Sequence, residues 1–305
     1  MILITGGCGY IGTALSEILT RRGEEFRVLD NLSGCNPLNL IFLNHAEFVW
    51  GDVRKREDIR EALEGVEVII HLAAKLPTAP GIIDDAKNDV EDVNYTGTLN
   101  VLEEARRKDL KVLFASTCNV YGVGTNLDEN SIVHPLNPYS KSKLKAEELC
   151  IEYSENYGLD VVILRLASVY GYSPGVRFNL VVNYFTLRAL LGYNLTVFGL
   201  GDNWRPFIHV RDAAESFLFL MDRGKSGEIY NVGGENYRIR DVAEVVRDTV
   251  NPSARIEYMK DRTPEFSYSV DFSKIQELGF CPESDLRAGI KDLASRLEAL
   301  KSLRR

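Results

Sequence analysis

The sequence predicts an α/β fold, a doubly wound parallel sheet carrying a smaller C-terminal region, and three observations support that prediction. Short apolar runs alternate with amphipathic stretches through the first half of the chain, the rhythm of strands joined by crossover helices. The apolar runs suit strands buried on both faces of a parallel sheet. After Tyr170 the texture changes: Gly171, Pro174 and Gly175 interrupt the pattern, and later elements are shorter, with glycine-rich joints at 224–227 and 233–234.

In chain order, strands are expected at 2–5, 26–29, 47–50, 66–71, 111–116 and 161–165. Helical periodicity appears between them at 10–22, 56–63, 90–108 and 139–157. With right-handed crossovers these elements make a sheet wound in both directions from its first strand. Residues 1–170 form the sheet domain and 171–305 mainly a second region, with segments around 205–235 returning to the sheet. The chain has no internal repeat, low-complexity tract or flexible linker, so the second region is expected to pack on the sheet as a lid. Ligand then lies in the crevice between them.

Composition narrows the partners. Among the 305 residues, 36 Lys and Arg stand against 44 Asp and Glu, a net charge of -8. That charge provides no general field for nucleic acid or an anionic membrane, so a phosphate-bearing ligand needs local donors. The cysteines, Cys8, Cys35, Cys118, Cys150 and Cys281, are odd in number and contain no Cys-x-x-Cys pair. This argues against a disulfide framework or a zinc site and fits a reducing, cytoplasmic setting. The apolar start ends at Gly6 and Gly7, too short for a signal-peptide core, and no run long enough to span a bilayer follows.

Directly after the first strand, Gly6, Gly9 and Gly12 are spaced by two residues each. Glycine admits backbone angles closed to other residues and lets a pyrophosphate approach main-chain N–H groups at a helix N-terminus. A tight turn without a ligand would also use three glycines. Asp30 ends the second strand about twenty residues on, where a carboxylate accepts hydrogen bonds from an adenosine ribose and repels a 2′-phosphate. The pair points to NAD; the alternative for Asp30 is a turn cap at 30–34.

Tyr139 and Lys143 are four residues apart, one turn apart on the same face of a helix. A phenol is a poor base at neutral pH, but an adjacent ammonium and the positive nicotinamide of NAD⁺ both favour its phenolate. Tyr139 would then take a hydroxyl proton, and Lys143 would also hold the nicotinamide ribose. Such pairs also arise by chance on solvated helices. Ser116 and Thr117 strengthen the reading by ending the fifth strand, at the edge where ligands of such sheets sit. Thr117 offers a neutral donor to the same substrate oxygen, or satisfies a nearby backbone group.

These residues resemble the extended short-chain dehydrogenase/reductases of the nucleotide-sugar epimerase and dehydratase family, and the similarity runs over nearly the whole chain. Beyond the glycine turn and Tyr139-x-x-x-Lys143, it includes Asp30-Asn31-Leu32-Ser33, Gly51-Asp52-Val53, His71-Leu72-Ala73-Ala74, Asn94-Tyr95-Thr96-Gly97-Thr98, Val120-Tyr121-Gly122 and Arg205-Pro206-Phe207-Ile208-His209-Val210. The resemblance implies a Rossmann domain whose NAD site comprises Gly6, Gly9, Tyr10, Ile11, Gly12, Asp30, Asn31, Leu72, Asn94, Ser116, Tyr139 and Lys143. It places Asp52 and Val53 at the adenine, and Ala73 and Ala74 along the cofactor groove. For the nucleotide diphosphate of the sugar it points to Arg205, Arg262 and Glu265, with Asn179 also at the substrate. A surface salt bridge is the alternative for either arginine. It further implies a homodimer paired through the helices at 90–108 and 139–157.

Departures from the family pattern narrow the reaction. Its dehydratases carry Asp-Glu immediately after the active-site Thr, whereas this chain has Cys118-Asn119, so dehydration is not expected. Cys118 is either a proton carrier or a small packing group. Ser168 and Pro206 stand where the family usually has Asn and Asp, and the run 173–183 differs from the commonest 4-epimerases. His71 and His209 lie in apolar runs and read as core or supporting groups, and no metal site is expected.

The expectation is an NAD-dependent nucleotide-sugar 4-epimerase of the UDP-glucose/UDP-galactose type, acting by transient oxidation at C4. The alternatives are a 4-dehydrogenase or 4-ketoreductase using the same residues, a uronate decarboxylase, and a non-enzymatic NAD-binding regulator.

Overall fold

The computed structural model describes residues 1–43, 45–76, 86–261 and 266–298. Its strands are β1 (Ile2–Thr5), β2 (Phe26–Asp30), β3 (Glu47–Trp50), β4 (Val68–His71), β5 (Lys111–Thr117), β6 (Gly124–Leu127), β7 (Val161–Leu166), β8 (Ser168–Tyr170), β9 (Leu195–Phe198), β10 (Trp204–His209), β11 (Ile229–Val232), β12 (Glu235–Arg238), β13 (Ile256–Met259) and β14 (Tyr268–Val270). Its α-helices are α1 (Tyr10–Arg22), α2 (Arg56–Ala62), α3 (Ala86–Glu91), α4 (Gly97–Lys108), α5 (Pro138–Tyr157), α6 (Val181–Leu190), α7 (Val210–Arg223), α8 (Ile239–Val250), α9 (Ser273–Glu277) and α10 (Leu286–Arg296).

Seven strands form the main sheet in the order β11-β7-β5-β4-β1-β2-β3, every neighbouring pair parallel. The winding reverses between β1 and β4, so a crevice opens at their carboxyl ends. Alternation along the strands builds two cores. Ile2, Ile4, Val28 and Leu113 pack with α1 and α7. Leu3, Leu29, Val112 and Phe114 face the other way, onto α2, α4 and α5. Successive side chains of a strand point to opposite faces, so both faces of each strand are apolar. A third core, of Val182, Phe185, Leu195, Val197, Val242 and Ile290, belongs to the C-terminal region.

The seventh strand, β11, comes from the C-terminal half and pairs in parallel with β7, inside the 205–235 stretch expected to return to the sheet. One feature differs from the sequence expectation. The helix expected over 90–108 is interrupted: α3 ends at Glu91, a π-turn occupies Asp92–Thr96, and α4 starts at Gly97. One wide turn within a helix leaves the apolar periodicity on either side nearly intact, so the pattern does not betray it. Among the described residues no helix is long and apolar enough to cross a membrane.

Candidate active site

Strand register brings the expected site residues to one edge. Thr5 is opposite Leu29 on one side and His71 on the other, and His71 is opposite Phe114. The carboxyl ends of β1, β2, β4 and β5 therefore line up, with Gly6–Gly12, Asp30, Leu72–Ala74 and Thr117 following them.

The glycine turn is fixed by close approach. Gly6 has φ +72°, and a Cβ there would lie 2.6 Å from the Ala73 nitrogen. A Cβ on Gly12 would meet Gly7 Cα at 2.5 Å. The turn delivers the chain into α1 at Gly9, where no side chain caps the helix and no acid lies in the first turn. Backbone N–H groups and the positive end of the helix dipole are left facing the crevice, a cradle that fits the cofactor's pyrophosphate.

Asp30 closes β2 and is 9% exposed. Its Oδ2 accepts from the Cys8 backbone N–H (3.0 Å) and its Oδ1 from Leu32 N–H (2.8 Å). Burial pushes its pKa up against those two bonds. The turn role and a cofactor role are therefore compatible, since a carboxylate has lone pairs beyond the two in use. Asn31 donates to Asp52 at 2.9 Å, tying together the turns after β2 and β3. Hydrogen bonds from Arg54 hold the Asp52 carboxyl down at about 2. Val53 is buried against the start of α4.

Tyr139 and Lys143 lie in the first turns of α5, which begins with a capping box: Asn137 accepts from Ser140 N–H at 2.8 Å, and Ser140 Oγ returns to the Asn137 N–H at 3.3 Å. The reciprocal cap fixes where the first turn, and so the phenol, sits. Tyr139 is half-buried. Burial pushes its phenol up to about 12, opposed by the positive charge of Arg177. Lys143 is 1% exposed, with its Nζ 4.0 Å above the Phe114 ring, and burial pushes its ammonium down to about 8. Thr117 is buried; its Oγ1 accepts from Asn119 N–H at 3.2 Å, which leaves the hydroxyl hydrogen free to donate.

Asn94 sits in the π-turn and is fully buried. Its Oδ1 accepts from Lys75 N–H (2.7 Å) and its Nδ2 donates to Lys75 O (3.0 Å) and Ser142 Oγ (2.9 Å). Ser142 Oγ in turn donates to Tyr139 O. One side chain thus clamps the segment after Ala74 to the turn that carries the phenol. His71 is shared between Thr5 Oγ1 (2.6 Å) and Thr98 Oγ1 (3.0 Å), and burial pushes its imidazole down to about 3. It is a neutral supporting group, not a proton carrier.

The sequence reading missed Glu147 and Arg165, which lie beneath this floor. They form an ion pair at 2.7 Å with side-chain exposures of 1% and 4%. Glu147 also accepts from Ser116 Oγ, and Arg165 donates to Tyr121 OH, which donates to Asn231 Oδ1. Glu147 sits among Ala146, Leu149 and Cys150 on the buried face of α5, and a buried carboxylate signals that a partner is needed. Cys118 is fully buried, its thiol 3.1 Å from Arg165 O and its pKa raised by burial. Those surroundings favour the packing reading of Cys118.

The substrate residues are less gathered. Arg205 stacks 4.1 Å over Phe266 and 5.2 Å over Tyr268 and donates to Trp204 O at 2.9 Å. Asn179 is exposed. Arg262 and Glu265 lie outside the described residues. Tyr10 buries its ring, donates to Gly171 O at 2.6 Å and accepts from Asn183 Nδ2 at 3.0 Å, so its hydroxyl is turned toward the C-terminal region.

The sequence pattern of the NAD dependent epimerase/dehydratase family matches residues 2–233. A Methanocaldococcus jannaschii protein provisionally assigned as a UDP-glucose 4-epimerase is 33% identical, over 95% of this chain and 96% of its own. A UDP-N-acetyl-alpha-D-glucosaminuronate decarboxylase of Bacillus cytotoxicus is 31% identical, over 91% and 85%. Among solved structures, the UDP-glucose 4-epimerase of Thermotoga maritima with UDP-glucose is 28% identical and superposes with a TM-score of 0.89, covering 99% of each chain. With this match along both sequence and fold, the chain belongs to the NAD-dependent epimerase/dehydratase family, whose members act on nucleotide sugars.

Proposed function

We propose that the protein is a nucleotide-sugar 4-epimerase with a preference for UDP-sugars. The observation that carries this reading is that Tyr139 and Lys143 lie one turn apart in the first turns of α5 and Thr117 ends β5, followed by a buried thiol and an amide, Cys118 and Asn119, where an acid would be needed to expel a hydroxyl. Bound NAD⁺ supplies a two-electron oxidant at C4 that is regenerated within the same turnover. Tyr139 removes and later returns the C4 hydroxyl proton, and Thr117 donates to the same oxygen. Lys143, forced into a dry position, favours the phenolate and holds the nicotinamide ribose. The glycine turn, with Tyr10 and Ile11 opening α1, receives the pyrophosphate; Asp30 and Asn31 the ribose; Asp52 and Val53 the adenine. Leu72, Ala73, Ala74 and Ser116 line the groove, and Asn94 braces it. Arg205, Asn179, Arg262 and Glu265 take the sugar nucleotide. The working form is a cytoplasmic homodimer paired through the helices at 90–108 and 139–157.

Incubation with UDP-glucose, UDP-galactose and a panel of other nucleotide sugars, without added NAD⁺, should interconvert a C4 pair with no net NADH. Net NADH would instead identify a 4-dehydrogenase. Tyr139→Phe should lower turnover by about 10²–10⁴-fold; undiminished turnover would remove Tyr139 from the chemistry. Tight NAD binding without turnover on any sugar would favour the regulator. The similarity to the Bacillus cytotoxicus enzyme supports a second reading, oxidation of a UDP-uronate at C4 followed by loss of CO₂, which release of CO₂ from such a substrate would identify.

A further inference from the structure

Outside the Tyr139 centre, the described residues gather a further set of chemistry-bearing side chains. Cys8 in the glycine turn, Asp30 at the end of β2 and Cys35 in the following loop each place one ligand atom within 4.8 Å of the other two. Nothing in the spacing of these cysteines reveals the cluster, because the parallel pairing of β1 with β2 brings their exits together.

Two of the three groups are held in place. Cys8 is fully buried, with its backbone fixed at N–H by Asp30 and at C=O by Asn39 Nδ2 (2.8 Å). Asp30 is fixed by its two backbone donors, each occupying only one lone pair of a carboxylate oxygen. Cys35 is half-buried, so the cluster is reached from solvent on its side. Among the described residues no Lys, Arg or His forms an ion pair with Asp30, and three groups that become anionic therefore face one another without a cation. Two sulfurs and one oxygen suit a borderline to soft metal and reject Mg²⁺ and Ca²⁺. Tetrahedral zinc, with bonds of about 2.3 Å to sulfur and about 2.0–2.2 Å to oxygen, needs ligand atoms about 3.6–3.8 Å apart. A contraction of up to about 1.2 Å between ligand atoms is required, and the Cys35 loop is free to supply it for the pairs that involve Cys35.

We propose that Cys8, Asp30 and Cys35 form a binding site for a thiophilic divalent cation of the zinc class, with one coordination position open, and that this ion and the cofactor's adenosine ribose exclude each other. The exclusion rests on the assignment of Asp30 to the ribose made above; the cation site does not.

The test uses the purified chain after its bound NAD has been removed, under reducing conditions, with Co²⁺ as the probe and Zn²⁺ as competitor. One equivalent of Co²⁺ should give a cobalt–thiolate charge-transfer band that Zn²⁺ removes. Cys35→Ser, a change in the exposed loop, should weaken Co²⁺ binding by about tenfold or more, by analogy with the loss of even a supporting group at a metal site. Cys281→Ser, an exposed cysteine elsewhere, should leave the band unchanged. No thiolate band, a band indifferent to Cys35→Ser, or a Cys8–Cys35 disulfide formed in place of the complex would each overturn the site. Added NAD should bleach the band, and a band that persists at saturating NAD would overturn the exclusion. Asp30→Asn with NAD affinity unchanged by calorimetry would instead overturn the ribose assignment, independently of the cobalt result.

Discussion

The ion pair beneath the catalytic floor offers the sharpest quantitative prediction. Glu147→Ala removes the carboxylate that meets Arg165 at 2.7, 3.1 and 3.2 Å and leaves a guanidinium at 4% exposure without it. Breaking such a pair from one side costs about 3–5 kcal/mol, because the remaining charge stays buried. The Ser116 hydroxyl also loses its acceptor, for roughly another 1 kcal/mol. Against a domain's total of about 5–15 kcal/mol this is a large share. Replacing both partners by apolar groups, Glu147→Leu with Arg165→Met, removes the uncompensated charge and should recover most of the loss. Urea denaturation at a fixed NAD concentration measures this, since bound ligand itself stabilises the native state. A loss below about 1 kcal/mol for Glu147→Ala, or a double variant whose loss equals the sum of the singles, would refute the argument.

Other consequences concern proton transfer and packing. Arg177 lowers the Tyr139 phenol from the value that burial alone would set. With the phenolate as the proposed base, Arg177→Met should move the alkaline-rising limb of the kcat/KM profile to higher pH, and a shift downward or none would contradict it. Lys143 is pushed down to about 8, so between that pH and its unfolded value the unfolded chain holds more protons than the folded one. Stability should therefore rise with pH through that window and, as far as this group goes, level off below it. The slope should flatten in Lys143→Met, as read from the urea midpoint against pH. Cys118→Ala should cost about 1–2 kcal/mol for the small buried group it removes, with kcat within about twofold of the parent; a large kcat loss at unchanged stability would return Cys118 to the chemistry.

Much of the fold and of the polar scaffold was legible because it depends on local rules. The first six strands of the sheet and the helix at 10–22 followed from apolar rhythm and glycine punctuation, which act within a few residues. The placement of Tyr139 and Lys143 on one helix face was legible for the same reason, since four residues on a helix define a face. The pieces not found are those that only long-range contact creates. Strand β11, four residues long, was legible only as a return of the 205–235 stretch, because its pairing partner lies more than sixty positions earlier. The π-turn at Asp92–Thr96 alters the path of one turn without altering the pattern. Glu147 with Arg165 joins a helix to a strand across the sheet's interior. Cys8 and Cys35 meet only because β1 and β2 are neighbours.

The junction at Tyr10 bears on how this scaffold can be altered. Its phenol bonds Gly171 and Asn183, Ser173 Oγ donates to Tyr10 O at 2.8 Å, and a Cβ on Gly175 would come within 2.7 Å of Gly9 O. The segment from 171 to 183 is thereby riveted to the start of α1. Transplanting that segment from a relative to change the accepted sugar would drag the phosphate turn with it, unless position 10 and the small residue at 175 travel in the same graft. On the proposed reading, then, a change of sugar specificity in that segment is also an operation on the turn assigned to the cofactor.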